Sequence, residues 1–89
     1  MGKIDITGII IPYNWGEDGN IIQIAIYTNK EDVYIVEHNR QERELLKHIN
    51  RRVEVKGKKN ERLDGKKYIG VQQYSIREEI TDEESDQLL

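Results

Sequence analysis

Apolar residues in this chain fall into short runs whose members alternate with polar ones. From residue 3 to residue 10, the even positions are isoleucine or glycine, and the odd positions up to Thr7 are polar. This period of two predicts a first strand with one buried face. Similar runs at 21–28, 33–36, 52–56 and about 66–76 predict four more strands. In the second, we expect Ile22, Ile24 and Ile26 to face the core.

Polar segments separate these runs. Residues 12–20 are interpreted as the first connection, because Pro12 cannot donate to a strand ladder and Asp18-Gly19-Asn20 favours a turn. Residues 29–32 form a polar turn, and residues 58–64 are interpreted as a charged connection that ends at Gly65.

One helix is predicted between the third and fourth strands. Asn39 can cap its first amides, and Glu42 occupies the reciprocal position of a capping box. The apolar stripe of this helix consists of Leu45, Leu46 and Ile49, and Asn50 can end it in a left-handed conformation. A helix of about ten residues is too short to be stable alone, so we expect it to dock on an apolar opening.

Two irregularities are expected within the strands. Gly8 lies inside the first strand, where we expect it to allow the bend that joins the two halves of a barrel. In the last strand, apolar residues take odd positions through Val71 and even positions from Tyr74. A phase change of this kind predicts a bulge near Gln72-Gln73, or a change of sheet.

The order of three strands, one helix and two strands resembles the OB-fold. The resemblance covers residues 3 to 77, with Gly8, Val53-Glu54-Val55-Lys56-Gly57 and 68–74 similar to strands of single-stranded nucleic-acid-binding OB domains. The chain is also similar to small stand-alone bacterial OB-fold proteins with no assigned role. The resemblance implies an all-β fold: a five-stranded OB-fold barrel with a helix between strands 3 and 4. An SH3-like barrel is the structural alternative, although such barrels usually lack that helix.

Composition narrows the class of protein. Eighty-nine residues make one domain with a modest core. The absence of cysteine excludes disulfides, thiolate metal sites and a cysteine nucleophile. No apolar stretch has the length of a signal-peptide core or of a membrane span, so we expect a cytoplasmic protein with no membrane partner.

Charge divides the chain into a barrel over 1–77 and an acidic C-terminal tail over 78–89. From Arg77 onward there is one positive residue against six negative ones, and the net charge of the whole chain is −3. Thr81-Asp82-Glu83-Glu84 is a second capping-box pattern and predicts a short terminal helix. The tail ends in Leu88-Leu89. Three interpretations are open: a segment that binds a partner, a segment that folds back onto the basic loop and competes with nucleic acid, or a solubilising end.

Aromatic residues are the first candidates for binding. OB-folds bind oligonucleotides with the loops between strands 1 and 2 and strands 4 and 5, and with the face of strands 2 and 3. The candidates for base stacking are Tyr13 and Trp15 in the first connection, Tyr27 on the second strand and Tyr34 on the third. The alternatives are that Trp15 closes the core and that the tyrosines are ordinary surface residues.

Cationic residues are the second group of candidates for binding. The candidates for phosphate contacts are Lys56, Lys58, Lys59, Arg62, Lys66 and Lys67, set against Glu61 and Asp64. A cationic loop beside a groove attracts phosphates through counterion release. The alternative is a hairpin tip that is charged for solubility.

No motif indicates catalysis. His38 and His48 are ten residues apart and lack the spacing of a zinc site, and Ser75 has no glycine-rich elbow around it. We therefore expect a non-enzymatic protein with no metal and no cofactor. Two hypotheses remain. One is an OB-fold module that weakly binds single-stranded DNA or RNA, and the other is a protein-interaction or structural barrel that uses a strand edge or the acidic tail.

Overall fold

Five strands and one short helix form the described part of the chain, residues 2–77 of a computed structural model. The elements are β1 (Lys3–Trp15), β2 (Ile21–Thr28), β3 (Val33–Val36), α1 (Arg40–Leu45), a 3₁₀ turn (Leu46–His48), β4 (Arg52–Glu61) and β5 (Lys67–Ile76). The strands close into one barrel in the order β1-β2-β3-β5-β4. This confirms the predicted class, a five-stranded barrel with one helix between the third and fourth strands. The acidic tail and its predicted helix lie outside the described residues.

The bend predicted at Gly8 is present. β1 pairs with β4 from Lys3 to Ile9 and with β2 from Gly8 to Trp15, so Gly8 belongs to both ladders. A Cβ atom on Gly8 would overlap the carbonyl oxygen of Tyr27 and lie 2.7 Å from its carbonyl carbon. Only glycine lets the two backbones approach this closely at the corner of the barrel.

The core consists of ten buried side chains: Ile10, Ile24, Ile26, Tyr34, Val36, Leu45, Val53, Val55, Ile69 and Val71. Ile24 and Ile26 face it as predicted, but the prediction for Ile22 is wrong, since that side chain is 50% exposed. The pairing of β1 with β2 shifts register twice between Pro12 and Trp15. Because of these shifts, Ile21 rather than Ile22 packs against the core.

The helix forms as its capping residues predict. Asn39 Oδ1 accepts a hydrogen bond from the backbone N–H of Glu42 (2.9 Å), and Asn39 Nδ2 donates to the carbonyl oxygen of Val71 (3.1 Å). Leu45 is fully buried, and Asn50 has a φ of 70°. Asn39 therefore both starts the helix and ties it to β5, and Leu45 closes that end of the barrel.

β1 and β4 are longer than the sequence predicted. β1 continues through Pro12, which pairs with Ile24 beside the bulge, and this leaves 16–20 as the first connection. β4 continues to Glu61, so the β4–β5 hairpin loop is only 62–66.

The predicted bulge in β5 is confirmed. Lys56 pairs with Gln73 but Gly57 pairs with Val71, so Gln72 is the extra residue. The phase change in the sequence is therefore a local bulge and not a change of sheet.

Candidate functional site

Two of the four candidate aromatic side chains are strongly exposed. Trp15 is 53% exposed at the end of β1, so the interpretation that it closes the core is wrong. Tyr27 is 42% exposed and follows the buried Ile26, which places its ring on the outer surface of the barrel as predicted. Tyr13 is half-buried and occupies the extra position of the β1 bulge opposite Gln23.

The expected outward position of Tyr34 is wrong. Tyr34 pairs with Ile26, is 8% exposed and belongs to the core cluster. It lies at the start of β3, whereas the helix follows the end of β3, so its ring closes the barrel end away from the helix. The ammonium of Lys67 lies 5.6 Å from the centroid of this ring and 3.1 Å from Asp32 Oδ1.

The six candidate cations do not form one loop. Only Arg62 and Lys66 lie in the hairpin loop, while Lys56 and Lys58 lie on β4, at exposed positions between buried ones. Lys59 is half-buried, and its ammonium lies 3.6 Å from a carboxylate oxygen of Glu61. The prediction of a single basic loop is therefore wrong in its geometry, because four of the six cations belong to β4 or β5.

Two residues of the hairpin are tied to the end of β3 through Glu37. Glu37 Oε2 accepts hydrogen bonds from Asn60 Nδ2 (3.1 Å) and from Arg62 (3.3 Å). The Arg62 guanidinium also stacks on the ring of Tyr68, 4.1 Å from its centroid. These contacts fix the direction of the hairpin relative to the outer surface of β3.

Lys66 connects the hairpin loop to the end of β1. Its ammonium lies 5.9 Å from the centroid of the Tyr13 ring. The interaction with the Tyr13 side chain, mainly through a hydrogen bond, raises the pKa of Lys66. Tyr13 and Trp15 both belong to β1, so this contact brings the hairpin loop to the strand that ends with the exposed tryptophan.

The outer side of β2 and β3 carries one buried apolar pair. Ala25 and Ile35 pair with each other and have outward parity, yet they are 0% and 2% exposed. Ile35 also pairs with Tyr68, whose ring carries Arg62. We give the name aromatic face to the candidate side chains Tyr13, Trp15, Tyr27, Arg62 and Lys66. Trp15 and Tyr27 lie near opposite ends of β2, since Trp15 pairs with Ile21 and Tyr27 pairs with Ile9.

The sequence reasoning missed Glu37 and Tyr68. Glu37 directly follows β3 and Tyr68 lies in β5, and no local pattern indicates that both would hold Arg62. Only the register of β3 with β5 brings them together.

Within residues 2–77, no group of three or more histidine or acidic side chains is arranged to hold a metal ion. His38 Nδ1 lies 3.7 Å from Glu42 Oε1, and this pair stands alone at the start of α1. Neither helix of this region has the length and hydropathy needed to cross a bilayer.

Comparisons of the chain with protein-family models, with curated proteins and with solved structures found no match.

Proposed function

We propose that this barrel is of the OB type and that its aromatic face weakly binds single-stranded DNA or RNA. The element order and the parallel pairing of β3 with β5 support the OB assignment. The observation that supports the binding proposal is the contact of Lys66 with Tyr13, which joins the hairpin loop to the strand that ends with the exposed Trp15.

The chemistry of this face suits bases better than phosphates. Stacking of a base on an aromatic side chain contributes about 1–3 kcal/mol, and Trp15 and Tyr27 are both exposed enough to stack. Arg62 and Lys67 are already paired with Glu37 and Asp32, so fewer cations are available to phosphates than the sequence suggests. With two or three phosphate contacts, log K falls with log salt at a slope of about −1.5 to −2.

A fluorescence titration tests the proposal, because Trp15 is the only tryptophan. We expect oligo-dT or oligo-rU to quench Trp15, with an affinity that decreases as salt increases. Tyr27→Ala should weaken binding by about 5- to 150-fold, the equivalent of one lost stacking contact. Lys47→Ala, on the exposed side of the turn after α1, is the matched control and should bind like the wild type. An unchanged Trp15 signal at high micromolar oligonucleotide and low salt rules the proposal out.

Deletion of residues 78–89 should tighten oligonucleotide binding at low salt. This segment holds six acidic residues, and without them the net charge of the chain changes from negative to positive. The effect should disappear above about 0.15 M salt, where the Debye length is about 8 Å. The measurement is the same titration on the truncated chain, and equal affinities at low salt would contradict the prediction.

A protein partner is the second candidate. Ile22, Val33 and Leu63 are exposed aliphatic side chains, which contribute little to nucleic-acid binding but suit an apolar protein surface. A flat Trp15 titration would favour this candidate. The cytoplasmic location expected from the sequence stays a prediction.

A further inference from the structure

We propose a second binding site, separate from the aromatic face: a cleft on the outer surface of β1, β4 and β5 that binds a phosphate group. The cleft has a volume of about 520 Å³. Its polar lining consists of Lys3, Asp5, Lys56, Gln72 and Gln73. Lys58 does not itself line the cleft but is the cross-strand partner of Lys3. We name it the lysine cleft.

The main argument is a pair of like charges held opposite each other. Lys3 and Lys58 are direct partners in the β1–β4 ladder, and both side chains are exposed. Cross-strand partners have Cβ atoms about 4.5–5.5 Å apart, and like charges at this position destabilise a sheet. An anion bound between the two ammonium groups would turn this repulsion into attraction.

Lys3 and Lys58 also differ from three of the cations in the basic segment. Lys59, Arg62 and Lys67 each lie within 4 Å of a carboxylate. In residues 2–77, neither Lys3 nor Lys58 has such a partner. Their charges are therefore available to a ligand from solution.

The third lysine of the cleft has acidic neighbours. Lys56 pairs across the ladder with Asp5. Glu54, two residues before Lys56, is bound by Arg77, which lowers the pKa of Glu54 mainly through a hydrogen bond. Counting Asp5 against the three lysines leaves two positive charges at the cleft, which matches a dianionic phosphate group.

The bulge in β5 supplies the shape and the neutral donors. Gln72 is the extra residue of the bulge, and both Gln72 and Gln73 are exposed beside Lys56. Bulges commonly redirect side chains at functional sites. Gly57 also lines the cleft, and an added Cβ there would overlap the carbonyl oxygen of Gly70, so β4 and β5 approach each other closely at this point. Lysine ammonium groups together with amide N–H donors form a typical phosphate-binding set.

The first experiment uses inorganic phosphate and the full-length chain at constant ionic strength. Phosphate at ten times its dissociation constant should raise Tm by about 6–11 °C. Lys58→Gln should raise the Tm of the free protein by about 2 °C, because it removes the repulsion from Lys3, and should abolish the response to phosphate. Lys47→Gln is the control. Lys47 lies in the 3₁₀ turn after α1 and pairs with Glu44, so this variant should respond to phosphate like the wild type.

Two results would overturn the proposal. One is no rise in Tm with phosphate up to about 50 mM, a concentration at which even millimolar binding is visible. The other is a rise that Lys58→Gln leaves intact, since the phosphate would then bind elsewhere.

A second experiment distinguishes the source of the phosphate. A nucleoside diphosphate and oligo-dT are titrated against Lys58→Gln and Tyr27→Ala. If the ligand is a free phosphoester, Lys58→Gln should weaken only the diphosphate. If it is the backbone of a nucleic acid, both variants should weaken oligo-dT. The phosphate response does not depend on Trp15 fluorescence, so failure of the lysine cleft is distinguishable from failure of the aromatic face.

Discussion

Gly8→Ala is expected to lower the free energy of unfolding by about 2–4 kcal/mol. This loss is a large part of the total free energy of unfolding of a domain of this size. The Cβ atom would overlap the carbonyl oxygen of Tyr27 and lie 2.8 Å from the Cα atom of Thr28. Both are backbone atoms, so no side chain can rotate to relieve the overlap. The strands must separate at a position where β1 pairs with both β2 and β4.

Urea denaturation of the wild type and variant measures this loss. Gly16→Ala is the matched control, because its Cβ would lie 3.3 Å from side-chain atoms of Asp18 and Ile22 that can move aside. We expect the control to lose less than about 1 kcal/mol. Equal stability of the Gly8→Ala and Gly16→Ala proteins would mean that β1 does not make this close approach to β2.

Much of the fold could be predicted because the sequence shows both the alternation of half-buried strands and the capping residue of the helix. The alternation around Val53 and Val55 predicts a half-buried strand, and the cap at Asn39 predicts the start of the helix. The β5 bulge was also predictable, since inserting Gln72 reverses the parity of every apolar residue that follows it.

Strand ends were not predictable for a different reason. Residues 58–61 extend β4 as part of a ribbon with β5 in which most side chains are polar, so no alternation of apolar residues marks them. Pro12 is tolerated in β1 because the bulge after it interrupts the ladder. Composition alone made both segments resemble loops.

The candidate site was predicted in part. Parity was sufficient to place Tyr27 outward, because Ile24 and Ile26 define a clear inward phase on β2. It was not sufficient for Tyr34, since a strand of four residues in which three are buried has no alternation to follow. The partners of Arg62 are 25 and 6 residues away along the chain, and only the barrel topology brings Glu37 and Tyr68 to it.

Leu45→Ala is the second substitution with a large expected effect, a loss of about 2–5 kcal/mol in the free energy of unfolding. Leu45 is fully buried and belongs to the core cluster. The helix that carries it has only six residues before the 3₁₀ turn, too few to be stable without docking. Truncating Leu45 therefore opens a cavity at the end of the barrel and also weakens the contact that keeps the helix folded.

Leu63→Ala is the control for this prediction, because it removes the same atoms from a side chain that is 108% exposed in the hairpin loop. No apolar surface is uncovered there, so its free energy of unfolding should stay within about 0.5 kcal/mol of the wild type. The difference between the two leucines then measures how much the docked helix contributes to closing the barrel. If Leu45→Ala were as stable as Leu63→Ala, the helix could not be the plug of the core. The barrel would then have to be stable with that end open. The hydrogen bond between Asn39 and Val71 would in that case hold the helix only as a surface contact.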